Sequence, residues 1–279
     1  MDIFYHYYPS TNESQFNLLS FVSTACSQEQ HNFFINLAQE VDFDLPETEN
    51  IRYLKYPNYD LDWGGLSRFI ENEYLDFCAG NLMVINSSAA GPFFPRNLLS
   101  DWAHLFADRL SPQVQLVGTS ISCLPLHALQ AQHFLNYYNE CDFKNFIPHV
   151  QTFAFLLGRE AISLLRSKSF FNRTFDSDRI SVISGYELSL SDVLLKSGFG
   201  ITSVTHPGPP IFLSGLENIA WGDIQFDYMF PKGYGGSSLH PYESIFVKTR
   251  RYPPDLLVEL QEIKARELIL RFNLVGNFD

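Results

Sequence analysis

The sequence predicts a single α/β domain with a mostly parallel central sheet flanked by helices. Short apolar runs alternate with amphipathic helical segments along the chain, the order that builds parallel sheets. One run, Leu82–Ile85, is unbroken by any polar residue, as strands buried on both faces of such a sheet are. The chain has 279 residues, 46% apolar and 18% charged, which is enough for one large core without disulfide or metal staples.

In chain order, Ile3–Tyr8 (IFYHYY) reads as the first strand. In ESQFNLLSFVSTAC, residues Phe16, Leu18, Leu19, Phe21 and Val22 form a helical face, with Thr11 or Asn12 available as cap. IRYLKY (Ile51–Tyr56) is read as the second strand, closed by Pro57 and Asn58. GGLSRFIENEYLDF is a helix with Leu66, Phe69, Ile70 and Tyr74 on one face, and NLMVIN is the inner strand. RNLLSDWAHLFADRL presents Leu98, Leu99, Trp102, Leu105, Phe106 and Leu110 as an amphipathic helix.

VQLVGTSISC and VQTFAFLLG read as strands, REAISLLRS and YELSLSDVLLKSG as helices, and GFGITSVTHPG as another strand. From Pro207 to Pro241 no period is visible, and an irregular stretch of that length predicts a functional loop or lid. ESIFVK is a late strand and PPDLLVELQEIKARELILRF a long closing helix.

A net charge of −12 and the lack of any Lys/Arg run speak against nucleic acid as a partner. One small basic cluster, Lys248, Arg250 and Arg251, is of a size to hold a diphosphate. The four cysteines are scattered, which predicts free thiols in a reducing compartment. The N-terminus has neither the basic nor the apolar stretch of a signal peptide, and no window reaches the ~18 apolar residues of a membrane span. A cytoplasmic protein without a transmembrane segment is expected. The oligomeric state is left open.

In sheets of this kind ligands bind at the carboxyl ends of the strands. Three polar clusters fall at predicted strand ends: NYDLDWGG (58–65), NSSAAGP (86–92) and HVQTF (149–153). Two more, SGYELSLSD (184–192) and SSLHPYESIFVKTRR (237–251), fall in loops or helix starts.

Six of these stretches carry a resemblance. YPNYDLDWGGLSRFI, VINSSAAGPFFP, LVGTSISC, HVQTFAFLLGREAISLL, YELSLSDVLLKSGF and HPYESIFVKTRR run in the same order as in the rhamnan-synthesis-F-like proteins. These are glycosyltransferase-like proteins of bacterial polysaccharide clusters, with relatives in algae and large algal viruses. The resemblance spans roughly residues 50–251. It implies a GT-A-type, Rossmann-like domain over residues 1–279, with a nucleotide-sugar half at about 1–122 and an acceptor half at about 123–279. It also implies transfer of a sugar from a nucleotide-sugar donor to a glycan acceptor, in assembly of a rhamnose-rich or similar glycan.

The resemblance assigns candidate residues. Asp62 and Gly64 match an Asp-aromatic-Gly beside the nucleotide, although Asp62 also suits a helix cap. Asn86, Ser87 and Ser88, with Gly91 behind them, match the motif ending the central strand. Many GT-A enzymes carry Asp-x-Asp there and bind Mn²⁺ or Mg²⁺. Neutral oxygens are poorer ligands for such ions, so the metal is in doubt; Asp60, Asp62 and His240 are the remaining candidate ligands.

His149 and Gln151 match a His-x-Gln, and Glu187 a Tyr-Glu placed at the start of a helix, where the dipole favours its charge. An inverting transferase needs a base for the acceptor hydroxyl. Glu187 is the first candidate, followed by His149 and Asp192. His240, Glu243, Lys248 and Arg250 match the last motif, where a cation would meet the donor diphosphate.

The competing reading is a protein that keeps the fold and binds a nucleotide or glycan without catalysis. A hydrolase is disfavoured, since no G-x-S-x-G or H-E-x-x-H occurs.

Overall fold

The computed structural model describes residues 1–26, 30–77, 80–94, 101–138, 143, 145–206, 208–218, 232–233, 236–251 and 262. The first half begins with β1 (Asp2–Tyr7), α1 (Asn12–Thr24), β2 (Asn32–Leu37), β3 (Ile51–Leu54), α2 (Asp62–Asn72) and α3 (Tyr74–Phe77). It continues through β4 (Leu82–Asn86), β5 (Ala89–Ala90), α4 (His104–Ala107) and β6 (Val114–Gly118). Then come β7 (Ile121–Pro125), α5 (Leu129–Tyr138), β8 (Phe146–Val150), β9 (Ala154–Leu157) and α6 (Arg159–Ser167). The remaining elements are α7 (Arg179–Val182), α8 (Ser189–Lys196), β10 (Gly200–Ser203), α9 (Pro241–Ser244) and β11 (Val247–Lys248).

Among the described residues the central sheet has seven strands in the order β10-β6-β9-β4-β1-β2-β3. All neighbours run parallel except β9, which is antiparallel to both β4 and β6. The fold is therefore α/β with a mostly parallel sheet, and β4 is an inner strand between β1 and β9. Leu82, Met83, Val84 and Ile85 are all buried, each contributing roughly 2 kcal/mol of transfer free energy.

Strand alternation sends side chains into two cores. Phe4, Leu82 and Val84 face Leu66, Phe69 and Ile70 of α2, Leu165 of α6 and Leu194 of α8. Ile3, Tyr5, Met83 and Ile85 face Leu18 and Phe21 of α1, together with Trp102 and Phe106.

The structure departs from the sequence reading in four places, besides the expected helix RNLLSDWAHLFADRL, of which only His104–Ala107 is helical among the described residues. Asn32–Leu37 is a strand that the sequence reading left unassigned, so IRYLKY supplies the third strand rather than the second. VQLVGTSISC is two strands, β6 and β7, and VQTFAFLLG belongs to β9, with its first residue ending β8. β7 and β8 pair with each other in a separate two-stranded sheet. The chain leaves along β6 and β7 and returns along β8 and β9, which is why β9 lies antiparallel beside β6.

The helix expected at YELSLSDVLLKSG starts earlier, at Arg179. It runs through a wide π-type turn, Ile183–Leu188, into α8. Glu187 thus lies inside a continuous helical segment, and the helix-start dipole argument does not apply to it. The fourth departure is ESIFVK, of which only Val247–Lys248 is strand, paired antiparallel with β5. Leu98, Leu99, the closing helix at 253–272 apart from residue 262, and most of the stretch from 219 to 235 lie outside the described residues.

Candidate active site

The chain passes outward from β1 to β2 and β3, then returns to place β4 on the other side of β1. The strand order reverses there, and the crevice outside the carboxyl ends of β1 and β4 is where such sheets bind ligands.

At the end of β4, alternation separates the three residues of the NSS motif. Ser87 is turned inward and buried: its Oγ accepts from Tyr8 N–H (3.2 Å) and donates to the Tyr8 carbonyl (2.8 Å). Its carbonyl accepts from the Asn17 amide (3.0 Å). Ser87 thus fastens β4 to β1. Asn86 Oδ1 accepts from Ser88 N–H (3.1 Å) and Ser88 Oγ–H (2.5 Å), while Asn86 Nδ2–H donates to Asp62 Oδ2 (2.7 Å). Asp62, in the first turn of α2, is therefore turned to the strand end.

A second network lies against this one. Asn36 is fixed by Tyr56, whose N–H donates to Oδ1 (2.6 Å) and whose carbonyl accepts from Nδ2 (3.1 Å). The same Nδ2 faces His6 Nδ1 at 3.0 Å, so that nitrogen must accept. His6 then carries its proton on Nε2 and donates it to Asn58 Oδ1 (2.9 Å). Burial lowers the His6 pKa, opposed by the Asp62 charge and the bond to Asn58, which agrees with this neutral tautomer. Gly65 belongs to the arrangement, because a β-carbon on it would lie 2.6 Å from His6 Nδ1 and 2.8 Å from Asn36 Nδ2.

Trp63, next to Asp62, stacks on Tyr186, next to Glu187, at 4.8 Å between centroids and 5° between planes. Tyr186 is held by its hydroxyl on the Arg173 carbonyl (2.5 Å). This stack fixes the helical segment bearing Glu187 against the one bearing Asp62. Glu187 itself sits in the π-type turn, a distortion often found at functional sites. It is half-buried, and no described residue hydrogen-bonds its carboxylate. Burial raises its pKa, and the Asp62 charge adds to this, while Lys248, Arg251 and Arg179 oppose it.

His149, on β8, has its pKa pushed down to about 4, chiefly by burial and also by Arg251 and Lys248, against the hydrogen bond to Ile147, which raises it. Its Nδ1 faces the Ile147 carbonyl (3.3 Å), so that nitrogen holds the proton of the neutral ring. Asp62, Lys248 and Arg251 thus act electrostatically on Glu187, and Lys248 and Arg251 also act on His149. Lys248 is set in place by β11, where it pairs with Ala89 just beyond the NSS motif, and its ammonium lies 5.9 Å from the Phe153 ring centroid.

Other candidates from the sequence have evident local partners. Gly64 lies tight against the Tyr59 carbonyl, and Gly91, at φ +148°, leaves no room for a β-carbon beside the Ile245 carbonyl. Asp60 is buried, with its carboxylate accepting from Phe175 N–H (3.0 Å) and Ser177 N–H (2.8 Å). His240 and Glu243 cap α9, the Glu243 carboxylate accepting from His240 N–H (3.0 Å). Arg250 donates to the Ser10 carbonyl (2.7 Å), and Asp192 pairs with Lys196 (3.2 Å). Gln151 is the exception: buried between β8 and β9, its backbone N–H donates to the Ser120 carbonyl (3.1 Å), while its side-chain Oε1 has no hydrogen-bond partner among the described residues.

The sequence reading did not single out His6, Asn36 or Asn58 as site residues, and it named Arg251 only within the basic cluster. For His6 and Asn36 the available signal was a polar side chain within an otherwise apolar strand.

A divalent cation does not fit the donors at the strand end. Asn86 Oδ1 already accepts two bonds from Ser88, and among the described residues Asp62 is the one carboxylate that hydrogen-bonds the motif. Among the described residues no three His, Cys, Asp or Glu side chains gather where a metal could be held. Asp60, Asp62 and His240 form no such group.

The chain matches no protein-family model and no curated protein. Solved structures similar to it include a glycosyltransferase involved in the glycosylation of the major capsid of PBCV-1. That match has 13% identity, covers 61% of this chain and 65% of that one, and has a TM-score of 0.32. The galactosyltransferase LgtC in complex with donor and acceptor sugar analogs matches at 10% identity over 94% of this chain and 95% of its own, with a TM-score of 0.45. The mannosyltransferase PcManGT from Pyrobaculum calidifontis, in complex with GDP-Man and Mn²⁺, matches at 10% identity over 72% and 53%, with a TM-score of 0.38. At these identities and scores the likeness carries no argument about activity. Among the described residues no helix is long and apolar enough to cross a membrane.

Proposed function

We propose that the protein is a nucleotide-sugar-dependent glycosyltransferase that extends a glycan acceptor. The observation that carries the proposal is the Glu187 carboxylate. It is half-buried, without a hydrogen-bond partner among the described residues, and raised in pKa by burial, at the crevice where the strand order reverses. A carboxylate with a raised pKa is suited to take a proton near neutral pH.

In the reaction, Glu187 accepts the proton of an acceptor hydroxyl as that oxygen bonds to the sugar C1. The bond from C1 to the diphosphate oxygen breaks, and the nucleotide departs with the electron pair. Asp62 lies toward the base and ribose, and Asn86 and Ser88 form the floor beneath the sugar. His149 is neutral, and with Nδ1–H given to Ile147 its Nε2 is the ring's acceptor for a sugar hydroxyl. The resemblance to rhamnan-synthesis-F-like proteins supports assembly of a rhamnose-rich or similar glycan, and the scattered cysteines support a reducing, cytoplasmic setting.

The test is a panel of nucleotide sugars assayed for release of free nucleotide, with glycan acceptors present. Turnover is expected with one donor, and Glu187→Gln should lower it ~10²–10⁴-fold, the usual worth of a positioned base, while donor affinity is kept. Nucleotide binding with no turnover from any donor would instead favour the binding protein without catalysis.

A further inference from the structure

We infer that Lys248 and Arg251 occupy the role that a divalent metal has in Asp-x-Asp sites, and hold the donor diphosphate as cations of the protein itself. This rests on the reading of the crevice as a nucleotide-sugar site.

The disagreement with a metal is chemical. The two oxygen-bearing side chains that face the crevice at the end of β4 are spent on each other, with Ser88 donating twice to Asn86 Oδ1. An amide and a hydroxyl in that state are poor ligands for a hard cation that prefers carboxylates. A positive charge is delivered to the same place by other means.

Lys248 is strapped to the motif from two sides. On one side, Thr249 N–H (3.0 Å) and Thr249 Oγ1–H (3.1 Å) both donate to the Ser88 carbonyl. On the other, the ring that underlies the Lys248 ammonium is Phe153, whose carbonyl accepts from Asn86 N–H (3.0 Å).

Arg251 joins it through the single 3₁₀ turn Thr249–Arg251. Successive residues of such a turn diverge by about 120°. Arg250 accordingly reaches the Ser10 carbonyl, while Arg251 comes under the field of Glu187 and Arg179. Burial and the Arg179 charge work against the Arg251 cation, and the Glu187 charge supports it. Arginine grips phosphate oxygens in pairs, and lysine acts as a point charge. Together they would bind the diphosphate and neutralise the charge that its bridging oxygen acquires as the C1–O bond breaks.

The experiment is calorimetric titration of UDP, GDP and dTDP into the full chain, in chelator and again in Mn²⁺ or Mg²⁺. One diphosphate should bind with the same affinity in both conditions. Lys248→Met and Arg251→Gln should each weaken it roughly 10–100-fold, as loss of a charge-assisted contact does, and Lys248→Arg should restore most of the loss. Binding by the unsubstituted chain that vanishes in chelator and returns with Mn²⁺ would overturn the inference while leaving the donor site standing. No binding of any nucleoside diphosphate in either condition would sink both. Because the chelator comparison uses the unsubstituted chain, a variant that fails to fold does not decide the matter.

Discussion

Lowering the pH should destabilise this protein through His149. The imidazole is buried on β8, beside two cations, and its pKa falls from 6.5 to about 4. A depressed histidine pKa contributes stability that is present above the unfolded value of 6.5 and lost as pH falls toward the folded value. Integrating the proton uptake between those two values gives a loss of about 2 kcal/mol from pH 7 to pH 5, and about 3 kcal/mol by pH 4. Against a typical total of 5–15 kcal/mol for a domain, that is large. The assay is urea unfolding at pH 7, 6, 5 and 4 for the wild type and for His149→Asn, whose amide N–H can still serve the Ile147 carbonyl. Other groups titrate in both chains, so the difference between the two curves isolates the histidine. The wild type should lose stability faster, by the amounts given. Parallel curves would refute the reasoning, since they would mean that His149 titrates alike in the folded and unfolded chains.

Three further outcomes are expected. Glu187 has the opposite sign: its carboxyl is raised in the fold, so its ionised form costs stability as pH rises above the ordinary carboxylate range. Glu187→Gln should therefore melt higher than the wild type at pH 8, with the gap closing by about pH 4, as calorimetric melts would record. Gly65→Ala should cost about 1–3 kcal/mol, because the new methyl meets His6 and Asn36, which are fixed by their own hydrogen bonds; urea midpoints check this. Asp60→Ala should cost roughly 2–4 kcal/mol, through the lost acceptor of two backbone N–H groups and through the positive φ of 48°. Asp60→Asn should cost clearly less, since asparagine tolerates that φ and keeps one acceptor oxygen. Equal losses for the two Asp60 variants would remove Asp60 from its clamping role.

What the sequence determined by itself was local. The apolar run Leu82–Ile85 marked a strand buried on both faces, and the helical spacing of Leu66, Phe69 and Ile70 marked the face that α2 packs against it. Both are periodicities of neighbouring residues, written directly in their order. The polar clusters after those elements were visible for the same reason, and Asp62, Asn86, Ser88, Glu187, His149 and Lys248 were named from them.

Only the tertiary structure decided how these groups meet. Asn32–Leu37 has a short apolar core that periodicity alone does not assign, and it became a strand by pairing with β1 and β3. VQLVGTSISC reads as continuous, yet its break at Thr119–Ser120 exists because β7 pairs with β8 while β6 pairs with β9. Arg250 and Arg251 are equivalent in a sequence; a turn of about 120° per residue sends one to Ser10 and leaves the other in the field of Glu187 and Arg179. His6 looked like one polar residue in an apolar strand, and its tautomer is set by Asn36 and Asn58, 30 and 52 residues away. Hydrogen-bond geometry and charge depend on distance in space, and chain order does not fix that distance until the sheet has formed.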